Sequence, residues 1–587
     1  MRGDERRKQN RSGQRLSVMP KAVPWLLVAA AIALRVIYFL QLESTPFLHL
    51  ERWAQTDMHY YDGWARQIAA GDWLSSSVPM PMHRWHHEVA QAYFAQHGDV
   101  RVVFEREGRD PDAAIWARWM GPPRFYQDPL SPYLIALLYR VAGPDVRAVL
   151  VLQLAAGVLT TLLIWSLARR HFGDAAGWWA GALAVLCAPL MFYELLLLRD
   201  SLIACAGLAI VWLADRALDA DRPRGFFALG AALGLAFLLK SSFALLALAI
   251  AAGAIVRGTR ASRAVRVLAL AAGCAIAVAP LAVRNVRVGA PALSLASSGP
   301  LTFVSSNDAN ARPDAGFGID VPRLARFLGD TDGSWRAAVS MVAARHDART
   351  YTALLWRKWD RAWHWFEIPN NEDLYYLRLQ APVLAWMPVT FWICAPLALV
   401  GLVLAAARAR RSWTLLALVA SSAVTLVAFY VLGRFRVALI AAAIPFAGLA
   451  CAELVAAFRE GRFARGAALT AAVTVLGAWS GRPLADDQLL IRTSDWILAW
   501  SVEYQDRVYG ALDRKDPAQA AADYQEFFAR YEPSAVEIVA SNDPRLAPEL
   551  ADMHAECSQI LRAAGRPEAA ALEADAGRRL LALRPAQ

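Results

Sequence analysis

The chain has 587 residues, 57% of them hydrophobic, with 22 Trp and a formal net charge of +10; its mean hydropathy is +0.30. Soluble domains average about 45–50% apolar residues, so this composition excludes a single water-soluble globule and points to membrane spans. The positive charge does not mark a nucleic-acid binder, because Arg and Lys sit in short loops between apolar runs, as the positive-inside rule expects.

The opening segment 1–23 is basic and reads as a cytoplasmic tail. The stretch Pro24 to Leu42 is long enough to span a bilayer and lacks a small-x-small cleavage site after it, so it predicts a retained first span. Further apolar runs at 146–168, 174–192, 198–216, 225–239, 243–257, 267–283, 387–406, 412–431, 435–456 and 466–481 predict an all-α polytopic membrane protein of about eleven spans. With the N-terminus inside, the basic loops at 169–170, 222–224, 257–266, 408–411 and 459–465 fall on the cytoplasmic side. That leaves a transmembrane domain over 24–481, with large outer loops at 43–145 and 284–386 and a C-terminal region 482–587 outside. Five of the six cysteines lie in apolar runs, so neither a disulfide framework nor a zinc pattern is present.

Within the first outer loop, Met58 to Trp73 has helical spacing of apolar positions, expected to lie along the membrane surface. Tyr133 to Val141 is a short apolar helix. The tail ends in SQILRAAGRPEAAALEADAGRRLLALRP, which is either half of a tetratricopeptide unit turning at Gly565-Arg566 or an ordinary helical hairpin. A protein partner could dock there.

Ionisable groups beside the spans are costly, so they carry information. Arg35 sits within the first span. Glu194, Arg199 and Asp200 fall at one outer turn, and Lys240, Arg284, Arg434 and Arg436 fall at outer span ends. Asp57 belongs to the same face. Cations gathered with carboxylates suit a ligand bearing a phosphate and a hydroxyl; snorkelling interface charges are the alternative. EIPNN (Glu367, Asn370, Asn371) could read sugar hydroxyls or simply make a turn. His83, His86 and His87 beside Glu88 match no zinc spacing and read as a solvated loop.

Seven segments occur in order from Leu34 to Phe446: LRVIYFLQL, TDMHYYDGWARQIAAGDWL, YQDPLSPYLIALLYRVAG, FYELLLLRDSL, APLAVRNVRVG with SSGPLTFVSSNDANA, WHWFEIPNNEDLYY and FYVLGRFRVALIAAAIPF. Together they resemble the polytopic GT-C glycosyltransferases, the superfamily of protein O-mannosyltransferases and lipid A aminoarabinose transferases. The likeness is greatest to a bacterial family 39-like branch with a tetratricopeptide-like tail. The resemblance implies a GT-C fold in the inner membrane and an inverting transfer from a polyprenyl-phosphate-linked sugar to an extracytoplasmic glycan, lipid or protein hydroxyl.

It implies Asp57 as the catalytic carboxylate. Lys240, Arg284, Arg434 and Arg436 are then candidates for the donor phosphate. Tyr61, Glu194, Asp200, Asn307, Glu367, Asn370 and Asn371 are candidate substrate contacts. Met58 stands where close relatives carry a second acid near a metal or substrate, so no metal ligand and no cofactor is assigned, and a divalent ion is disfavoured. Ser131 replaces the usual Tyr, and residues 75–120 form an insertion that could reshape the acceptor entrance. Two other classes fit parts of the pattern: a flippase for lipid-linked sugars, and a membrane scaffold acting through the tail.

Overall fold

A computed structural model describes residues 23–54, 56–76, 80–121, 123–256, 260–313, 319–483, 502, 505–540 and 546–582. The basic tail 1–22 and much of the link between the last apolar run and the C-terminal helices lie outside the described residues. The fold is helical. Among the described residues the β pairing is confined to an isolated bridge between Cys187 and Val389.

Each predicted apolar run forms a helix, because Ala-, Leu- and Val-rich stretches satisfy their backbone bonds internally. Six are long and apolar enough to cross a membrane: Pro24–Leu42, Val146–Phe172, Asp200–Ala220, Ser262–Arg287, Ala409–Ala428 and Gly433–Arg459. Pro223–Leu239, Phe243–Val256 and Phe391–Ala406 are apolar but shorter. The run at 174–192 breaks after Val185, where Cys187 turns extended before Pro189.

Gly433–Arg459 is the central helix, with 72% of its apolar window buried, against 17% for Ser262–Arg287 at the periphery. Small residues let the helices approach closely. A methyl on Gly230 would meet the Leu270 carbonyl at 2.0 Å, and one on Gly273 would meet the Phe227 carbonyl at 2.0 Å. The Pro223–Leu239 and Arg260–Arg287 helices therefore run backbone against backbone.

The basic loops at 169–170, 408–411 and 459–465 come together on one face. Arg411 donates to the Arg170 carbonyl, Arg170 pairs with Asp215 and Asp219, and Arg408 and Arg465 share Glu453. On the opposite, loop-rich face, the Asp57–Ala69 helix buries Trp64, Ala65 and Ile68 within the protein, against Leu130–Ala142. The expected surface helix is thus a packed one, because its apolar stripe has a protein partner. The insertion folds into three short helices, Arg84–Phe94, Gly98–Arg106 and Pro111–Met120. In the tail, Leu546–Ala563 packs on Pro567–Ala582 as a hairpin.

Candidate active site

Asp57 opens its helix, but Thr56 caps it. The Thr56 hydroxyl accepts from the His59 N–H at 3.3 Å, so the Asp57 carboxylate is not consumed as a cap. Instead it meets two partners from distant loops. Arg434 Nη1 donates to Asp57 Oδ2 at 2.5 Å. Asn371 Nδ2 donates to the same oxygen at 3.0 Å, while its Oδ1 accepts from the Asp57 N–H at 2.7 Å. Both side-chain contacts fall on Oδ2, so neither occupies Oδ1. Burial pushes this carboxyl up, yet the Arg434 charge, then His83, then the hydrogen bonds from Arg434 and Asn371, bring it below its ordinary value.

Asn371 has φ +69°, a left-handed conformation that few non-glycine residues adopt and that clusters at functional sites.

Asp57 lines a cavity of about 730 Å³ that also receives Tyr61, Asp200, Lys240, Asn370, Asn371 and Arg434. These seven candidates come from five separate parts of the chain. Three carboxylates (Asp57, Asp128, Asp200) and three cations (Arg199, Lys240, Arg434) share the walls. Arg199 bridges Asp128 at 2.9 Å and Gln127 at 3.0 Å, and the Tyr61 hydroxyl donates to Gln127 at 2.9 Å. Lys240 lies 4.6 Å from the Phe435 ring centre. Burial lowers its pKa to about 8 against the pull of Asp200. Lys240 and Phe435 also line a narrow slot of about 30 Å³ walled by Ile203, Gly207 and Leu418 together with Ser242, Ser421, Ser422 and Thr425, so this ammonium stands between the chamber and a small slot of mixed lining.

The other candidates lie elsewhere. Arg284 donates to the Leu74, Ser75 and Pro123 carbonyls at 2.6–2.7 Å and stacks 3.8 Å from the Phe125 ring centre. Arg436 is fully buried, donates to the His364 and Phe366 carbonyls and pairs with Glu367 at 2.7 Å. Both guanidiniums tie loops to spans. Glu194 is gripped by Arg35 through two bonds of 2.6 and 2.7 Å. Asn307 bonds the Phe303 and Ala428 carbonyls and accepts from Lys358.

Several cavity residues were not singled out from the sequence. Asp128 sits within YQDPLSPY, and its charge beside an apolar helix was the available signal. His83 and His86 are not in a solvated loop. His83 precedes the Arg84–Phe94 helix and His86 lies on it, 1% exposed, and both line the cavity. Among the described residues, no three His, Cys, Asp or Glu side chains gather as a metal site.

This is a polytopic membrane protein, helical throughout its described residues, with a charged chamber lined largely by its loops. Residues 123–283 match the family model described as dolichyl-phosphate-mannose-protein mannosyltransferase. The matched segment carries Asp128, Arg199, Asp200 and Lys240; Asp57 and Arg434 lie outside it. No curated protein matches.

Among solved structures, the archaeal oligosaccharyltransferase AglB from Archaeoglobus fulgidus, in complex with an inhibitory peptide and a dolichol-phosphate, is similar at 13% identity over 81% of this chain and 59% of its own, with a TM-score of 0.36. The apo form of the Archaeoglobus fulgidus oligosaccharyltransferase is similar at 13% identity over 81% of this chain and 58% of its own, with a TM-score of 0.37. The chain thus spans less than two thirds of the length of these enzymes.

Proposed function

We propose that the chain is an inverting glycosyltransferase that moves a sugar from a polyprenyl-phosphate donor to an acceptor hydroxyl on the extracytoplasmic side of the cell membrane. The observation that carries this reading is the single chamber in which an anionic Asp57 shares walls with Lys240, Arg199 and Arg434. The description of the matched family, a dolichyl-phosphate-mannose-dependent transferase, supports the donor class. The clustering of basic loops on the far face supports a cytoplasmic N-terminus.

In this mechanism the acceptor hydroxyl lies against Asp57 Oδ1. As its oxygen bonds to the anomeric carbon, the proton passes to Asp57 and the bond from that carbon to the phosphate oxygen breaks. The electron pair leaves with the polyprenyl phosphate, whose added charge is met by Lys240 and the guanidiniums of Arg199 and Arg434. Attack opposite the leaving group inverts the anomeric carbon. Arg434 holds Asp57 until a phosphate competes for it.

The test is donor consumption by the purified chain in nanodiscs, with and without a membrane extract as acceptor, comparing wild type with Asp57→Asn. Acceptor-dependent loss of donor that disappears in the variant supports the reading. Lipid-linked sugar that crosses the bilayer without being consumed overturns it in favour of transport.

A further inference from the structure

The helical insertion contributes a polar group that the transfer chemistry above does not use. His86 is almost fully enclosed, between the Trp85 ring at 3.5 Å and the Trp116 ring at 4.6 Å between centres. Trp116 Nε1 donates to the His86 carbonyl at 2.8 Å, fixing the backbone beneath the ring. The His83 backbone N–H lies 3.1 Å from His86 Nδ1. That nitrogen must therefore accept, and a neutral imidazole then carries its proton on Nε2. Burial pushes the ring's pKa well below the ordinary histidine value, which keeps it neutral.

The result is a donor with fixed tautomer and fixed orientation. His86 Nε2 is buried and has no hydrogen-bond partner among the described residues, although its residue lines the chamber. A buried donor left unsatisfied is costly, so a ligand oxygen brought within its reach from the chamber would be favoured. The neighbouring wall is aromatic, with Trp85, Tyr126 and Trp335. Flat apolar rings with a few placed polar groups suit a ligand that has both C–H faces and oxygens. A pyranose has both; a serine or threonine side chain offers one oxygen and a methyl at most.

Resting on the transferase reading, we propose that the acceptor is a carbohydrate and that His86 is a specificity-determining residue, its Nε2–H donating to a second hydroxyl oxygen beside the one Asp57 deprotonates. The test uses full-length protein in nanodiscs, with methyl α-mannopyranoside and N-acetylserine methylamide as probes, read by saturation-transfer NMR.

Wild type is expected to bind the glycoside in preference to the serine amide. His86→Phe keeps a ring between Trp85 and Trp116 but removes the donor, and should weaken glycoside binding about 3- to 10-fold, the usual effect of one neutral hydrogen bond. His86→Gln, which returns an N–H donor, should recover part of it. Unchanged glycoside binding in His86→Phe, or wild-type preference for the serine amide, overturns the proposal. Because binding needs no turnover, the two readings fail separately. Glycoside binding that depends on His86, with no donor consumed, would sink the transferase assignment and leave the carbohydrate site standing.

Discussion

Asn371 holds Asp57 from two directions, accepting from its backbone N–H and donating to its carboxylate. The left-handed backbone of Asn371 makes this clamp possible, so a variant that keeps the backbone but loses the amide isolates its effect. Asn371→Gly does so, since glycine takes φ +69° without strain. Losing a charge-assisted bond costs roughly 1.5–3 kcal/mol. The expected outcome is a fall in transfer rate of about ten- to a hundredfold with little change in melting temperature. An unaltered rate would show that the clamp does not orient the base.

Acid tolerance should follow from the Asp57–Arg434 pair. The folded carboxyl lies below its ordinary value, which for Asp is about 3.9. The pair's stabilisation is therefore complete above that value and fades as pH falls through the lower folded one. The acid limb of the transfer rate should lie below pH ~4 in wild type. Arg434→Gln removes the strongest downward pull and should move that limb upward. Rate profiles from pH 3 to 7 for both proteins check the sign.

Lys240 sets an alkaline limit. Its pKa of about 8 means that it loses its charge near that pH. Donor KM should rise above pH 8 while kcat for bound donor changes less. Lys240→Arg, always charged, should flatten the limb, and Lys240→Met should raise KM at every pH. Donor titrations from pH 6 to 9.5 decide this.

Arg35 and Glu194 form a buried fork within the helices, away from the chamber. Removing one partner of such a pair typically costs about 3–5 kcal/mol. Arg35→Leu should therefore lower the melting temperature sharply without changing donor KM in the surviving folded fraction. Gly157→Ala should act in the same way, because its methyl would fall 2.1 Å from Glu194 Oε1. A pure KM effect from either variant would place the pair in substrate binding after all.

The helices were legible because long apolar runs have few other ways to satisfy their backbone. Lys240 and Arg434 were legible as charges at span ends, where only function or snorkelling explains them, whereas Asp57, in an outer loop, stood out through the family resemblance of its segment. The same signal also selected Arg284 and Arg436, since a position at a span end does not say where a long side chain turns. Those two fold back onto carbonyls, and Arg436 onto Glu367. His86 was hidden for another reason. An insertion carries no periodicity linking it to the chamber, and its burial arises from Trp116, thirty residues further along. The break after Val185 was likewise masked, because the apolar run continues through it.

The glycine contacts at Gly230 and Gly273 bear on how this protein can change over time. Two helices pressed together along their backbones admit no larger side chain and little sliding, so the height of Lys240 at the end of one is fixed by the other. Selection for a new donor head group has little freedom to relocate that ammonium. Adaptation is channelled instead into the insertion, which can be rewritten around an anchored Lys240, whereas the EIPNN loop is tied to Asp57 and Arg436. Homologues differing in substrate should accordingly diverge at Trp85 and His86 while keeping small residues at 230 and 273.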